Sequence, residues 1–143
     1  MRSALEGIFP GLQQSDYDIT SNEDGNYNCI AWAANDATRL WWPGVYYWPK
    51  ASPFSESISL FAETFCDNLG FEVCENGDLE EGYQKLAIYA DAGKVKHMAR
   101  QLPDGKWTSK LGQSFDIIHI LSGIEGTDYG KVVLFLRKKA EAT

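Results

Sequence analysis

"YQKLAIYADAGKVKHMARQLPDGKWTSK", residues 83–110, decides how this chain folds. Leu86, Ile88 and Ala90 alternate with Lys85, Ala87 and Tyr89, a period of two that predicts a strand over residues 83–90. Residues 95–102 read as a second strand, with Val95, His97, Ala99 and Gln101 on one face and Met98 and Leu102 on the other. The stretch LPDGKW then reverses the chain: Pro103 presets the first turn position, Asp104 suits the second and Gly105 accepts positive φ. Residues 106–111 return beside 95–102. A three-residue loop puts Ser109 opposite Ala99 and on the face of His97, whereas a two-residue loop puts Thr108 and Lys110 there. Residues 114–124 read as a short helix, and KVVLFLR, residues 131–137, as a final buried strand.

Upstream, the period changes. Residues 11–27 are polar and end in the loop Ser21-Asn22-Glu23-Asp24-Gly25-Asn26. Ile30, Ala33, Ala34 and Ala37 then recur at helical spacing, with Asn28 or Asn26 as cap and Pro43 as terminator. A second helix is expected from Ser52 or Ser55 to Leu69, carrying the stripe Ile58, Phe61, Ala62, Phe65 and Leu69 and stopped by Gly70. Between them lies WWPGVYYWP, residues 41–49. It reads either as a loop held on the core by its aromatic mass or as an aromatic wall in which Trp42 and Trp48, together with Trp32 of the first helix, contact a substrate. The expected fold is therefore α+β: N-terminal helices packed on an antiparallel sheet of about four strands.

Composition narrows the function. The chain has 143 residues, 44% of them apolar and 13% aromatic, enough for one self-supporting domain spanning 1–143. A net charge of -7 and only thirteen Lys and Arg, scattered apart from the short tail cluster Arg137-Lys138-Lys139, oppose a nucleic-acid surface. No apolar run is long enough for a bilayer and the start lacks the order of a secretory signal, so no membrane is expected and the location is read as cytoplasmic. Cys29, Cys66 and Cys74 include no C-x-x-C pair, and their spacing fits no short zinc knuckle; reduced thiols and no metal or cofactor are expected.

The stretch YNCIAWAAND, residues 27–36, carries the chemistry. It sets Cys29 in the first turn of a helix, where unpaired N–H groups and the dipole favour a thiolate and could receive an oxyanion. A nucleophile needs a base, and of the two histidines His97 opens a strand beside the small Ala99. His119, flanked by Ile118 and Ile120, reads equally as a buried or capping residue. A polar group should orient the imidazole: Asp116 is chemically preferred because a carboxylate also stabilises imidazolium, and Ser109 is the alternative.

This order of Cys at a helix start and His at a strand start resembles the papain-like thiol hydrolase superfamily, especially its small NlpC/P60-like and CHAP-like members. The resemblance implies a papain-like fold with Cys29 as nucleophile, His97 as base and Asp116 or Ser109 as third member. The chain lacks the D-C-S-G run of those families, having Asn28 and Ile30 about Cys29, and has no papain-like glutamine at the expected distance upstream; Asn22, Asn26 or Asn28 is left as a side-chain oxyanion donor. YNCIAWA, HMARQLPDGKWTSKLG and DIIH more closely resemble the signatures of an uncharacterised bacterial domain family, which implies no activity. The expected function is a cysteine hydrolase or acyltransferase that cleaves an amide, isopeptide or ester of a peptide or amide-bearing substrate through a Cys29 thioester. The rival is a catalytically silent interaction or immunity-type domain that binds a protein partner.

Overall fold

The structure is a computed structural model and describes residues 2–112, 114–126 and 128–140. Its frame is one seven-stranded antiparallel sheet. The strands are β1 (Asp18–Ile19), β2 (Glu72–Cys74), β3 (Tyr83–Asp91), β4 (Lys94–Gln101), β5 (Trp107–Lys110), β6 (Asp116–His119) and β7 (Lys131–Lys139), in the order β1-β6-β5-β4-β3-β7-β2. Three α-helices accompany them: α1 (Arg2–Ile8), α2 (Cys29–Ala33) and α3 (Ile58–Leu69). The expected papain-like arrangement, helices on about four strands, is thus overturned. The sheet has seven strands, one of them, β1, from the N-terminal half, and α3 is the one long helix among the described residues.

The physical reason lies in the central strands. β3 is buried along both faces, with Leu86 and Ile88 in one core and Ala87 and Tyr89 in the other. A strand buried on both sides needs a layer on each. The first layer is α2, α3 and the aromatic segment 41–49, closing over Leu86, Ile88, Met98 and Leu136. The second is α1, a 3-10 turn at Pro10–Gln14 and another at Leu121–Ile124, closing over Ala87, Tyr89, Ala99, Trp107 and Ile117.

Two turns set the register of β3, β4 and β5. Ala92 (φ 52) and Gly93 (φ 79) are both left-handed and close the β3–β4 hairpin. At Pro103-Asp104-Gly105, Leu102 donates its N–H to Lys106 at 2.7 Å, a three-residue loop, and Gly105 has φ 91. Gln101 consequently faces Trp107 and Arg100 faces Thr108, which carries Ser109 to the face of His97. A bulge near Val95 moves that residue to the other core, beside Met98, against the simple alternation.

Three local expectations are corrected. The first helix ends at Ala33 because the chain turns at Asn35, which takes φ 65, so Ala37 is not helical. Residues 116–119 are a strand, not a helix: DIIH pairs with both β5 and β1, and only Leu121–Ile124 winds, as a 3-10 turn. β7 is half-covered, with Val133 exposed. The α3 reading needs only a new start, since Ser57 caps it by accepting the Leu60 N–H at 3.0 Å and Gly70 (φ 82) ends it.

Candidate functional site

Cys29 is the first residue of α2. Asn28 is its N-cap: Oδ1 accepts the N–H groups of Ala31 (3.1 Å) and Trp41 (3.2 Å), and Nδ2 donates to the Trp41 carbonyl at 2.8 Å. Both ends of this amide are thus consumed in joining α2 to the aromatic segment, so Asn28 has a structural role and does not supply a free oxyanion donor.

The thiol sits where the sheet splits. β4 and β5 pair only at Arg100–Thr108 and Gln101–Trp107. Leu102 turns its N–H toward the β5 side, so the alternate residues Arg100 and Met98 do likewise. Beyond Arg100 the ladder stops, and the Met98 N–H, with those of Cys29 and Ile30, instead favours negative charge on the Cys29 sulfur. Burial outweighs them. Cys29 is 7% exposed and its thiol is pushed up to about 11, which corrects the expectation that the helix start alone would ionise it. A helix of five residues has little dipole to set against desolvation.

His97 hangs from the neighbouring residue of β4, but its ring lies on the opposite face, edge-on to Tyr89 and stacked on Tyr129 with centroids 4.1 Å apart and planes 11° off parallel. No hydrogen bond joins Cys29 to His97 among the described residues; Nδ1 of His97 is buried without any partner. Burial is the main cause that keeps the Tyr129 phenol from ionising. Tyr129 stands on a turn closed by reciprocal hydrogen bonds between Gly126 and Gly130, and Gly130 (φ 71) is required there because a Cβ would fall 2.1 Å from the Ala90 carbonyl oxygen.

Ser109 and His119 complete the cluster. Nε2 of His97 and Oγ of Ser109 are 2.8 Å apart, Oγ and Nε2 of His119 are 2.7 Å apart, and Nδ1 of His119 is 2.7 Å from the Ile120 carbonyl. All three side chains are almost wholly buried. Desolvation holds His97 well below the usual imidazole range, helped by His119, and pushes His119 down to about 4.

Asp116 does not take part. It pairs with Lys110, on the strand position that alternates with Ser109, so it projects from the other face. There its Oδ2 accepts the Tyr27 hydroxyl at 2.7 Å, while Lys110, also buried, lies 4.4 Å over the Tyr27 ring and donates to the Ser114 carbonyl. Burial drives the Lys110 ammonium pKa down, and Asp116 opposes that shift. The side chain that hydrogen-bonds His97 is therefore Ser109, the alternative, and not the preferred Asp116, and His119, ambiguous from spacing, joins it. Reading DIIH as a strand would have found His119, because it alternates with Asp116. Nothing in the sequence marked Tyr129.

Each tryptophan of the expected substrate wall has a partner within the fold. The Trp32 indole donates to Thr108 Oγ1 at 3.1 Å, Trp42 packs edge-on against Phe61, and the Trp48 indole donates to Thr64 Oγ1 at 3.2 Å. A cavity of about 930 Å³ opens at the far end of α2 among Ala34, Phe71, Arg100, Leu102 and Lys138, and neither Cys29 nor His97 lines it. Among the described residues no three His, Cys, Asp or Glu side chains converge as a metal cage, and no helix is long and apolar enough to cross a membrane.

Two buried neutral histidines make stability depend on pH. The unfolded chain binds protons on these groups near their ordinary value of 6.5, whereas folded His119 waits until about 4. Stability should be full above about pH 6.5 and fall as the pH drops toward about 4, by about 3 kcal/mol from His119 alone. Urea unfolding across this window should show that loss and a smaller one in His119→Gln; a flat wild-type profile would contradict the assignment.

Fold and site together define an antiparallel-sheet protein with a helix-start thiol lodged in a split of the sheet and a buried His–Ser–His array beneath it. Residues 18–137 match the family described as Domain of unknown function (DUF7689), and the chain belongs to it. No curated protein and no solved structure matches the chain.

Proposed function

We propose that this protein is a cysteine hydrolase or acyltransferase acting on an amide, isopeptide or ester carbonyl, with Cys29 as nucleophile and His97 as base. The observation that carries the reading is the unpartnered Nδ1 of His97. Buried polar atoms are almost always satisfied, and this one is a basic nitrogen on the residue next to the peptide N–H that addresses the thiol. With thiol and imidazole both neutral at rest, the base acts during attack. In this proposal Sγ and Nδ1 come within hydrogen-bond reach through the split in the sheet when substrate binds; Nδ1 then takes the Cys29 proton as Sγ bonds to the carbonyl carbon and returns it to the leaving amine or alkoxide, and water hydrolyses the thioester by the reverse sequence. The Met98, Cys29 and Ile30 N–H groups stabilise charge around the sulfur.

A peptide or amide-bearing substrate fits this chemistry, and the net charge of -7 disfavours nucleic acid. Three free thiols suit a reducing compartment such as the cytoplasm.

The test is acetyl transfer from p-nitrophenyl acetate, read by peptide mass mapping. Cys66 and Cys74, both less buried than Cys29, are internal controls. Cys29 should acetylate faster than either and release acetate in turn. Equal or slower labelling of Cys29 would overturn the reading.

A second reading, an interaction domain, is favoured by one surface: Val45, Tyr46, Tyr47 and Phe54 expose large apolar side chains together beside the buried Trp41 and Trp48. It takes precedence if Cys29 is inert while Tyr46→Ala, with an unchanged Tm, alters self-association or partner binding.

A further inference from the structure

We infer that His119 is a positioning residue that sets the tautomer of His97 through Ser109, so that the nitrogen left bare is Nδ1. The inference rests on the function proposed for Cys29 and His97, and follows from counting protons along three hydrogen bonds. The Ile120 carbonyl can only accept, so Nδ1 of His119, 2.7 Å away, must carry a hydrogen. A neutral ring protonated at Nδ1 has a bare Nε2, and that atom faces Ser109 Oγ at 2.7 Å. Ser109 has one hydroxyl proton, and the bare His119 nitrogen takes it. Oγ then has only lone pairs to offer His97 Nε2 at 2.8 Å, so His97 must donate from Nε2. Each step fixes the next, and the sequence ends on the unprotonated, unpartnered Nδ1.

The opposite polarity fails on the same count. If Ser109 donated to His97, its oxygen lone pairs would face the bare Nε2 of His119 with no proton between them, in a site almost closed to water. The main-chain carbonyl of Ile120 is thus the origin of the direction, and it cannot be reversed without turning the His119 ring.

Two-bond 1H–15N NMR on the intact protein reads tautomers directly. Wild-type His97 should be protonated at Nε2 and His119 at Nδ1. In His119→Leu the serine proton loses its acceptor and becomes available to His97, so the Nδ1–H form of His97 should appear. Acetylation of Cys29 by p-nitrophenyl acetate should fall roughly tenfold, the factor one net hydrogen bond can set. His119→Gln, whose side-chain carbonyl can accept from Ser109, should restore both readouts, which a purely space-filling role would not require. Wild-type His97 protonated at Nδ1, or a His97 tautomer unmoved in His119→Leu, overturns the inference. If His119→Leu does not fold, the wild-type spectrum alone still decides. An Nε2–H form that shifts in His119→Leu while Cys29 proves inert would uphold the relay and sink the proposed activity, so the two failures are distinct.

Discussion

Replacing His97 by Gln should slow acetylation of Cys29 by roughly 10²–10⁴-fold, the range that a positioned general base contributes. Glutamine approximates the imidazole in size and leaves an amide able to hydrogen-bond Ser109, so the buried site is not simply emptied. What it cannot do is accept and return a proton. A buried thiol raised to about 11 has almost no thiolate at neutral pH, which makes the base indispensable rather than helpful. Rates from stopped-flow release of p-nitrophenol, normalised to labelling of Cys66 and Cys74, measure the effect. A loss smaller than about threefold would mean that Cys29 reacts, if at all, without His97.

Phe65→Ala should destabilise the fold by about 3–5 kcal/mol. Phe65 is fully buried on α3, and its ring meets those of Trp41, Trp48 and Phe71 at centroid distances of 6.3, 6.5 and 6.0 Å. Removing it leaves a cavity that three large rings cannot collapse into without leaving their own partners. The damage extends to the candidate site, because Trp41 exchanges backbone hydrogen bonds with the Asn28 amide that caps α2. Urea unfolding gives the stability loss, and alkylation of Cys29 below the unfolding midpoint should rise as the cap loosens. A loss under about 1.5 kcal/mol would show that the aromatic segment carries less of the core than its burial implies.

Where local chemistry and strand parity agreed, the sequence was readable. The proline-aspartate-glycine loop and the β4 and β5 strands follow from turn residues and alternation, whereas the serine–histidine face depends on the loop having three residues and not two, which the turn residues alone do not decide. Asp116 illustrates the opposite case. A carboxylate is the better partner for an imidazolium, but one position along a strand reverses the side-chain direction, and geometry overrides chemical preference. DIIH was misread because a short apolar run fits a buried strand and a helix equally well, and its pairing partner β1 is only two residues long. β2 was missed for a similar reason: three largely exposed residues carry no alternation to detect. The tryptophans drew a functional reading from their number, yet most of what they do is close one face of the sheet. Tyr129 and the split between β4 and β5 depend on contacts between segments distant in sequence, which no local pattern encodes.

The claim that Cys29 works as a neutral thiol activated by His97 is tested most directly by the pH dependence of its acetylation rate. If His97 is the base, the rate rises through the depressed titration of that imidazole and is then level between about pH 7 and pH 9. If Cys29 reacts only as a free thiolate, the rate instead climbs about tenfold per pH unit through that interval, toward the thiol's own value of about 11, and the account is wrong.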